Sequence, residues 1–163
     1  MDMSEERERV YFKLDPGDWH GQPNEGLWGE RVEGSHSGTV YRLMNSPFFT
    51  RGVSFLDIVR AAPRQDGTGL QFSGVLDHSG HSTYMLLVPM IAPEFDSYWE
   101  KLKVLGCTYE STTWNISLGK KILYSLDIPD STDIYAVYSV LEDGERKGIW
   151  LFQEGHVGHK LKR

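Results

Sequence analysis

Near residue 83 the apolar residues change the period on which they recur, and that change calls for a chain of two unlike halves. Before it, apolar and polar residues alternate in short runs at 10–14, 27–32, 39–43, 58–62 and 70–76. A period of two marks strands with one buried face. Turn residues separate the runs. Asp15-Pro16-Gly17-Asp18 and a Gly-, Pro- and Asn-rich stretch through residue 26 end the first, because proline fixes φ and glycine permits a tight reversal. Residues 33–38 form a turn, and Pro63 stops the fourth run. Five short strands at this spacing predict a small barrel-like sheet.

After the change, strands alternate with helices. Residues 82–88 read as a strand. Pro93 sits where a first-turn proline is tolerated. Phe95, Tyr98, Trp99, Leu102 and Leu105 then share one helical face, and Gly106 is the stop. Residues 107–114 and 122–128 are strands, joined near Leu118-Gly119-Lys120. Asp130 or Ser131 caps a second helix with Ile134, Val137, Tyr138 and Leu141 inward, and Gly144 closes it. Residues 149–152 are a last, wholly apolar strand. The order β-α-β-β-α-β is the split motif of ferredoxin-like folds. The expected class is α+β, in four stretches. Residues 1–9 are a flexible acidic N-terminus, 10–83 a barrel-like subdomain, 84–155 a ferredoxin-like subdomain and 156–163 a basic C-terminal tail.

Charge excludes some tasks. The chain has 17 Lys and Arg against 23 Asp and Glu, a net charge of −6. Nucleic-acid binding needs a basic face, and only the tail and scattered arginines offer positive charge, so no nucleic-acid partner is expected. The N-terminus has no apolar signal core, and no apolar run approaches the ~20 residues of a membrane span, so no membrane partner is expected. Cys107 is the single cysteine; it forms no internal disulfide, fits a reducing cytoplasm and reads as a small buried residue.

Candidate chemistry is sparse. Asp77-His78-Ser79-Gly80-His81-Ser82-Thr83 places two histidines three apart beside Asp and Ser. That pattern suits a metal site or a nucleophile with its base, or more simply a polar turn between the halves. No third ligand is evident, so no metal is expected. His156, His159 and Glu154 form a second cluster, but Gly155 and Gly158 argue against a helix there and a frayed end is the expectation. Asp57, inside an apolar run, caps a turn or binds backbone amides at a barrel corner; a catalytic acid is the alternative. No GxGxxG or GxxxxGK string exists. No catalytic residue and no cofactor are therefore expected. Trp19, Trp28 and Trp114 are harder to place in a core than Trp99 and Trp150. Trp19 lies in a polar loop, and exposed aromatics beside Asp18, Glu25 and Glu30 make a reasonable protein-binding surface.

Five strings occur in order: Leu27-Trp28-Gly29-Glu30, Tyr41-Arg42-Leu43-Met44-Asn45-Ser46-Pro47-Phe48-Phe49, Gly52-Val53-Ser54-Phe55-Leu56-Asp57-Ile58-Val59, Ser79-Gly80-His81-Ser82-Thr83 and Leu105-Gly106-Cys107-Thr108-Tyr109-Glu110. Together they resemble the bacterial domain-of-unknown-function family four-two-six-five. Members often carry a glycine before the acid where this chain has Leu56. Relatives occur as immunity proteins to polymorphic antibacterial toxins, so the resemblance implies a one-to-one complex with a cognate toxin domain of basic charge, an ADP-ribosyltransferase or a nuclease. An inhibitor of that kind occludes its target with aromatic anchors and complementary charge. The expected partner-binding residues are Trp19, Trp28 and Glu30 from the first half and Glu142, Asp143 and Glu145 from an acidic turn after the second helix. Two alternatives are an enzyme that reverses toxin damage through His78 or His81 with Asp57 or Asp77, and a module binding a small molecule between the two halves.

Overall fold

The computed structural model describes residues 7–32, 39–116 and 119–162. The expected turn at 33–38, residue 118 of the turn expected near Leu118-Gly119-Lys120, and the N-terminal residues 1–6 lie outside them. The first half holds β1 (Arg7–Lys13), β2 (Asn24–Arg31), β3 (Val40–Leu43), β4 (Ile58–Pro63) and β5 (Leu70–Asp77). These five close into a barrel. Successive strands pair antiparallel, and β1 returns to β5 in parallel through Val10↔Leu70 and Tyr11↔Gln71. Closure removes the free edges that five short strands would otherwise expose. The alternation seen in sequence points Val10, Phe12, Leu27, Tyr41, Leu43, Val59 and Leu70 into one interior. The first strand starts earlier than expected. Arg7–Arg9 are not a flexible lead but pair with Glu30–Trp28.

The second half runs β6 (Ser82–Pro89), α1 (Phe95–Val104), β7 (Thr108–Ile116), β8 (Gly119–Ile128), α2 (Ile134–Arg146) and β9 (Leu151–His156). The strands form one antiparallel sheet in the order β7-β8-β6-β9. Both helices cover one face. Tyr84, Leu86, Val88, Leu126 and Ile128 pack there against Phe95, Tyr98, Leu102, Val137 and Leu141. Period-two geometry turns Thr83, Met85, Leu87, Leu123, Ser125 and Asp127 to the other face. The barrel sits against part of that face.

Three local expectations are corrected. The cap of α2 is Asp133, not Asp130 or Ser131: its carboxylate accepts from the amides of Tyr135 and Ala136. Residues 129–132 are a turn, closed by Thr132 N–H to the Pro129 carbonyl. Gly144 does not end α2. It lies inside the helix because the Trp150 ring occupies the space a Cβ would need, and Gly148, at φ 75°, follows the true end. The C-terminal segment is not frayed through residue 162. His156 closes β9, Gly158 and His159 bond Ser82, and the Lys162 amide donates to the Tyr135 hydroxyl. Cys107 is buried as expected; burial, aided by the nearby Asp127, pushes its thiol up to about 12.

Candidate functional site

The barrel meets the sheet through a polar seam supplied by the loop between β3 and β4. Ser125 Oγ donates to the Pro47 carbonyl at 2.6 Å, Gly52 N–H to the Gly155 carbonyl at 3.0 Å, and Asn45 Nδ2 to Glu110 at 3.1 Å. The hydroxyls of Ser54 and Thr83 share a 2.7 Å bond. Glu25, buried at the start of β2, holds this loop. Its carboxylate accepts the amides of Phe48, Phe49 and Thr50 and the Thr50 hydroxyl. The strings that carry the family resemblance are largely those that build this seam.

Asp57 is the seam's second node and is completely buried. Its two oxygens accept the amides of Ser54 and Ser79, and Oδ2 lies 3.0 Å from His78 Nδ1. The backbone-binding role expected for Asp57 is present. Leu56, just before it, adopts φ 70°. A left-handed conformation costs a non-glycine residue about 1–2 kcal/mol. Leu56→Gly therefore relieves strain that Leu56→Ala retains. The glycine variant should be the more stable of the two by about 1 kcal/mol in denaturant unfolding, after the entropy of the freer unfolded chain. Equal stabilities would show that Leu56 is not strained.

The two histidines of the 78–81 turn do not converge. His81 Nδ1–H donates to Asp127 across β8 at 2.9 and 3.1 Å. Burial raises the Asp127 carboxyl, against the pull of His81. His78 instead stacks on His156, ring centroids 4.4 Å apart and planes 19° from parallel. Two residues on β9 oppose one on β6 between Thr83 and Tyr84, a bulge at Gly155 that turns His156 to the barrel side. His156 is held below the usual imidazole range by burial first and by His78 second. Asp77 ends β5, exposed, in register with Ile58. His159 Nε2–H donates to the Pro129 carbonyl, which leaves Nδ1 to accept from Ser82.

Beyond the barrel, the second face of the sheet is open. Trp19, Met85, Leu87, Leu123, Leu151, Phe152 and Gln153 line a cleft of about 450 Å³. Trp19 stands on an aromatic row, 5.8 Å from Phe49, which lies 4.9 Å from Trp114 on β7. Trp19 is 38% exposed and Leu151 59%. A polar cleft of about 280 Å³ opens at the other rim, among Arg9, Trp28, Asn45, Phe48 and Glu110. A third, of about 260 Å³, reaches Asp127. These three clefts lie along the rims of the junction, while a shallow hollow of about 540 Å³ lies away from it, between the helices at Val104, Leu105, Ala136 and Val140.

The expected partner-binding residues do not form one surface. Trp28 is exposed on β2 under the Arg9 guanidinium, 4.4 Å away, and Glu30 is half-buried near Arg7. Glu142, Asp143 and Glu145 lie within α2, not in a turn after it. The sheet separates them from Trp19. Asp143 is also satisfied internally. The Tyr98 hydroxyl first, then Lys147 and Arg146, hold its carboxyl below the usual range. Sequence reasoning missed Leu87, Leu123 and Leu151. Their signal was present: β6 and β8 carry apolar residues on both faces, and a two-sided apolar strand needs a second cover.

No curated protein matches the sequence. A solved structure titled "Novel crystal structure of a hypothetical protein from Neisseria gonorrhoeae" is similar in fold. Its TM-score is 0.70 at 17% identity, with 94% of this chain and 96% of that chain covered. At that identity the likeness concerns the fold alone. The sequence itself matches a family over residues 25–152, a stretch that includes all of β3 to α2 and most of the polar seam and of the apolar cleft. By that match, the chain belongs to the family described as Domain of unknown function (DUF4265).

Proposed function

We propose that this protein is a stoichiometric inhibitor, an immunity protein that covers the working surface of a cognate antibacterial toxin domain in the cytoplasm. The observation that carries the reading is the open apolar cleft at Trp19. A contiguous apolar hollow with an aromatic at its lip is the form of a protein-docking hot spot. Asp15 and Asp18, exposed on the Trp19 loop, add negative charge that suits a basic partner. The family resemblance points the same way. Among the described residues no helix is long and apolar enough to cross a membrane. The strand order β7-β8-β6-β9 supports reading the second unit as ferredoxin-like.

The test is co-expression with the toxin domain encoded beside this gene, followed by chromatography and calorimetry. A one-to-one complex is expected. Trp19→Ala and Leu151→Asp should each weaken it by about 30-fold or more, the scale of a hot-spot residue. Glu142→Lys, on the far side of the sheet, should leave it nearly unchanged. Absence of a complex, or full affinity in both cleft variants, would overturn the reading.

A second reading rests on the His81–Asp127 pair, whose acid lines a cleft. An enzyme that repairs toxin damage through His81 would lose protection in His81→Ala while keeping any affinity for the toxin. The occlusion reading expects protection to follow affinity.

A further inference from the structure

We propose that Asp57, His78 and His156 bind one divalent transition-metal ion, of the zinc, cobalt or nickel class, where the barrel meets the edge strand of the sheet. One ligand atom from each residue lies within 4.8 Å of the other two. The site goes beyond toxin occlusion and does not depend on it.

Several features prepare the cluster for an ion. The Asp57 oxygens are aimed by the amides of Ser54 and Ser79, the outer support that metal-binding carboxylates require. His78 Nδ1 and Asp57 Oδ2 are 3.0 Å apart, which already brings an imidazole beside the carboxylate. His156 Nε2 is buried and has no hydrogen-bond partner among the described residues. A bare buried imidazole nitrogen is costly, and an ion would satisfy it.

The stacked rings set the one rearrangement required. A metal lies in the plane of each imidazole that binds it, so two nearly parallel rings cannot both ligate until one turns. His78 is the ring that can turn, since its side chain is 44% exposed while the His156 Nε2 is buried. The same exposure leaves the remaining coordination position to water. Two imidazoles and one carboxylate select borderline transition metals over calcium or magnesium, which demand more oxygen ligands.

The ion would link two units that otherwise meet through the seam. Asp57 and His78 belong to the barrel half, and His156 closes β9 on the sheet. Binding should therefore stabilise the native state by mass action.

The experiment uses the full, untagged chain after treatment with a chelator. Zn2+ is titrated by calorimetry, and Co2+ by visible absorption, which reports nitrogen and oxygen ligands directly. One site per chain is expected. At a Zn2+ concentration about 100 times Kd, the melting temperature should rise by about 5–10 °C. His78→Ala and His156→Ala should each weaken binding by about 100-fold or more and abolish the Co2+ spectrum. His81→Gln, at the other Asp–His pair, should retain both. Asp57→Asn is not the deciding variant, because Asp57 also holds the backbone. Absence of a one-to-one Zn2+ isotherm, or undiminished affinity in His78→Ala and His156→Ala, would overturn the site.

Discussion

Glu25→Ala should lower stability by about 3–5 kcal/mol, the larger of the two strongest effects expected of single substitutions. The carboxylate accepts four hydrogen bonds from residues 48–50, and the residue is only 8% exposed. Alanine leaves three amides and a hydroxyl without their acceptor. Each unsatisfied buried donor costs about 1–3 kcal/mol, less what water recovers as the loop relaxes. The melting temperature should fall by on the order of 10 °C. Glu25→Gln keeps one acceptor but turns an NH2 group toward donors, and should cost about 2 kcal/mol. The loss should also reach the apolar cleft, since Phe49 backs Trp19. Trp19 fluorescence in Glu25→Gln is the measurement of that link. A melting temperature unchanged in Glu25→Ala would show that the loop is held by something else.

The second large effect concerns Gly144. In an open helix, glycine to alanine gains about 1 kcal/mol. Here the new Cβ would sit 2.5 Å from Cε2 and Cζ2 of Trp150. That ring cannot retreat. It is 2% exposed, its Nε1–H donates to the Leu141 carbonyl at 2.9 Å, and Tyr98 packs edge-on at 5.6 Å. Overpacking of this kind costs about 1–3 kcal/mol or more, and we expect a net loss of about 2 kcal/mol in Gly144→Ala. Ser139→Ala, exposed on the same helix, should instead gain a few tenths of a kcal/mol. Opposite signs at two positions of one helix, read from denaturant midpoints, are the test. A gain at Gly144 would mean that Trp150 has room to move.

Gly144 also shows where sequence rules misread the chain. A glycine after Leu141 and Glu142 has the composition of a helix stop, and nothing local reveals the tryptophan six residues on folding back over it. Asp133 was missed as a cap for a related reason. Asp130, Ser131 and Asp133 are all competent caps, and the choice among them follows from burying Ile134 against the sheet. The tail was misjudged because its partners, Ser82, Pro129 and Tyr135, are remote in sequence. Its composition is that of a free end, yet His159 and Gly158 are satisfied by β6 and the turn before α2.

The candidate site divides the same way. Asp57 was legible as a backbone-binding acid because an Asp in an apolar run must find donors nearby. The histidines were legible only as a pair of residue types. Their true partners, Asp57 and His156 for one and Asp127 for the other, come from segments distant in the chain.

What this sequence determines alone is local: the period of its apolar residues specifies which stretches are strands, which are helices, and which face of each seeks cover. From that follows the order of elements, β strands first and then strands alternating with two helices. What only tertiary structure decides is which element supplies the cover. The parallel closure of β1 on β5, the bulge that turns His156 toward His78, and the apolar face left open beside Trp19 all depend on packing between segments far apart in the chain. Periodicity states that a face must be buried; it carries no information about its partner, because that choice is made by the shapes and unsatisfied polar groups that meet only once the chain has folded.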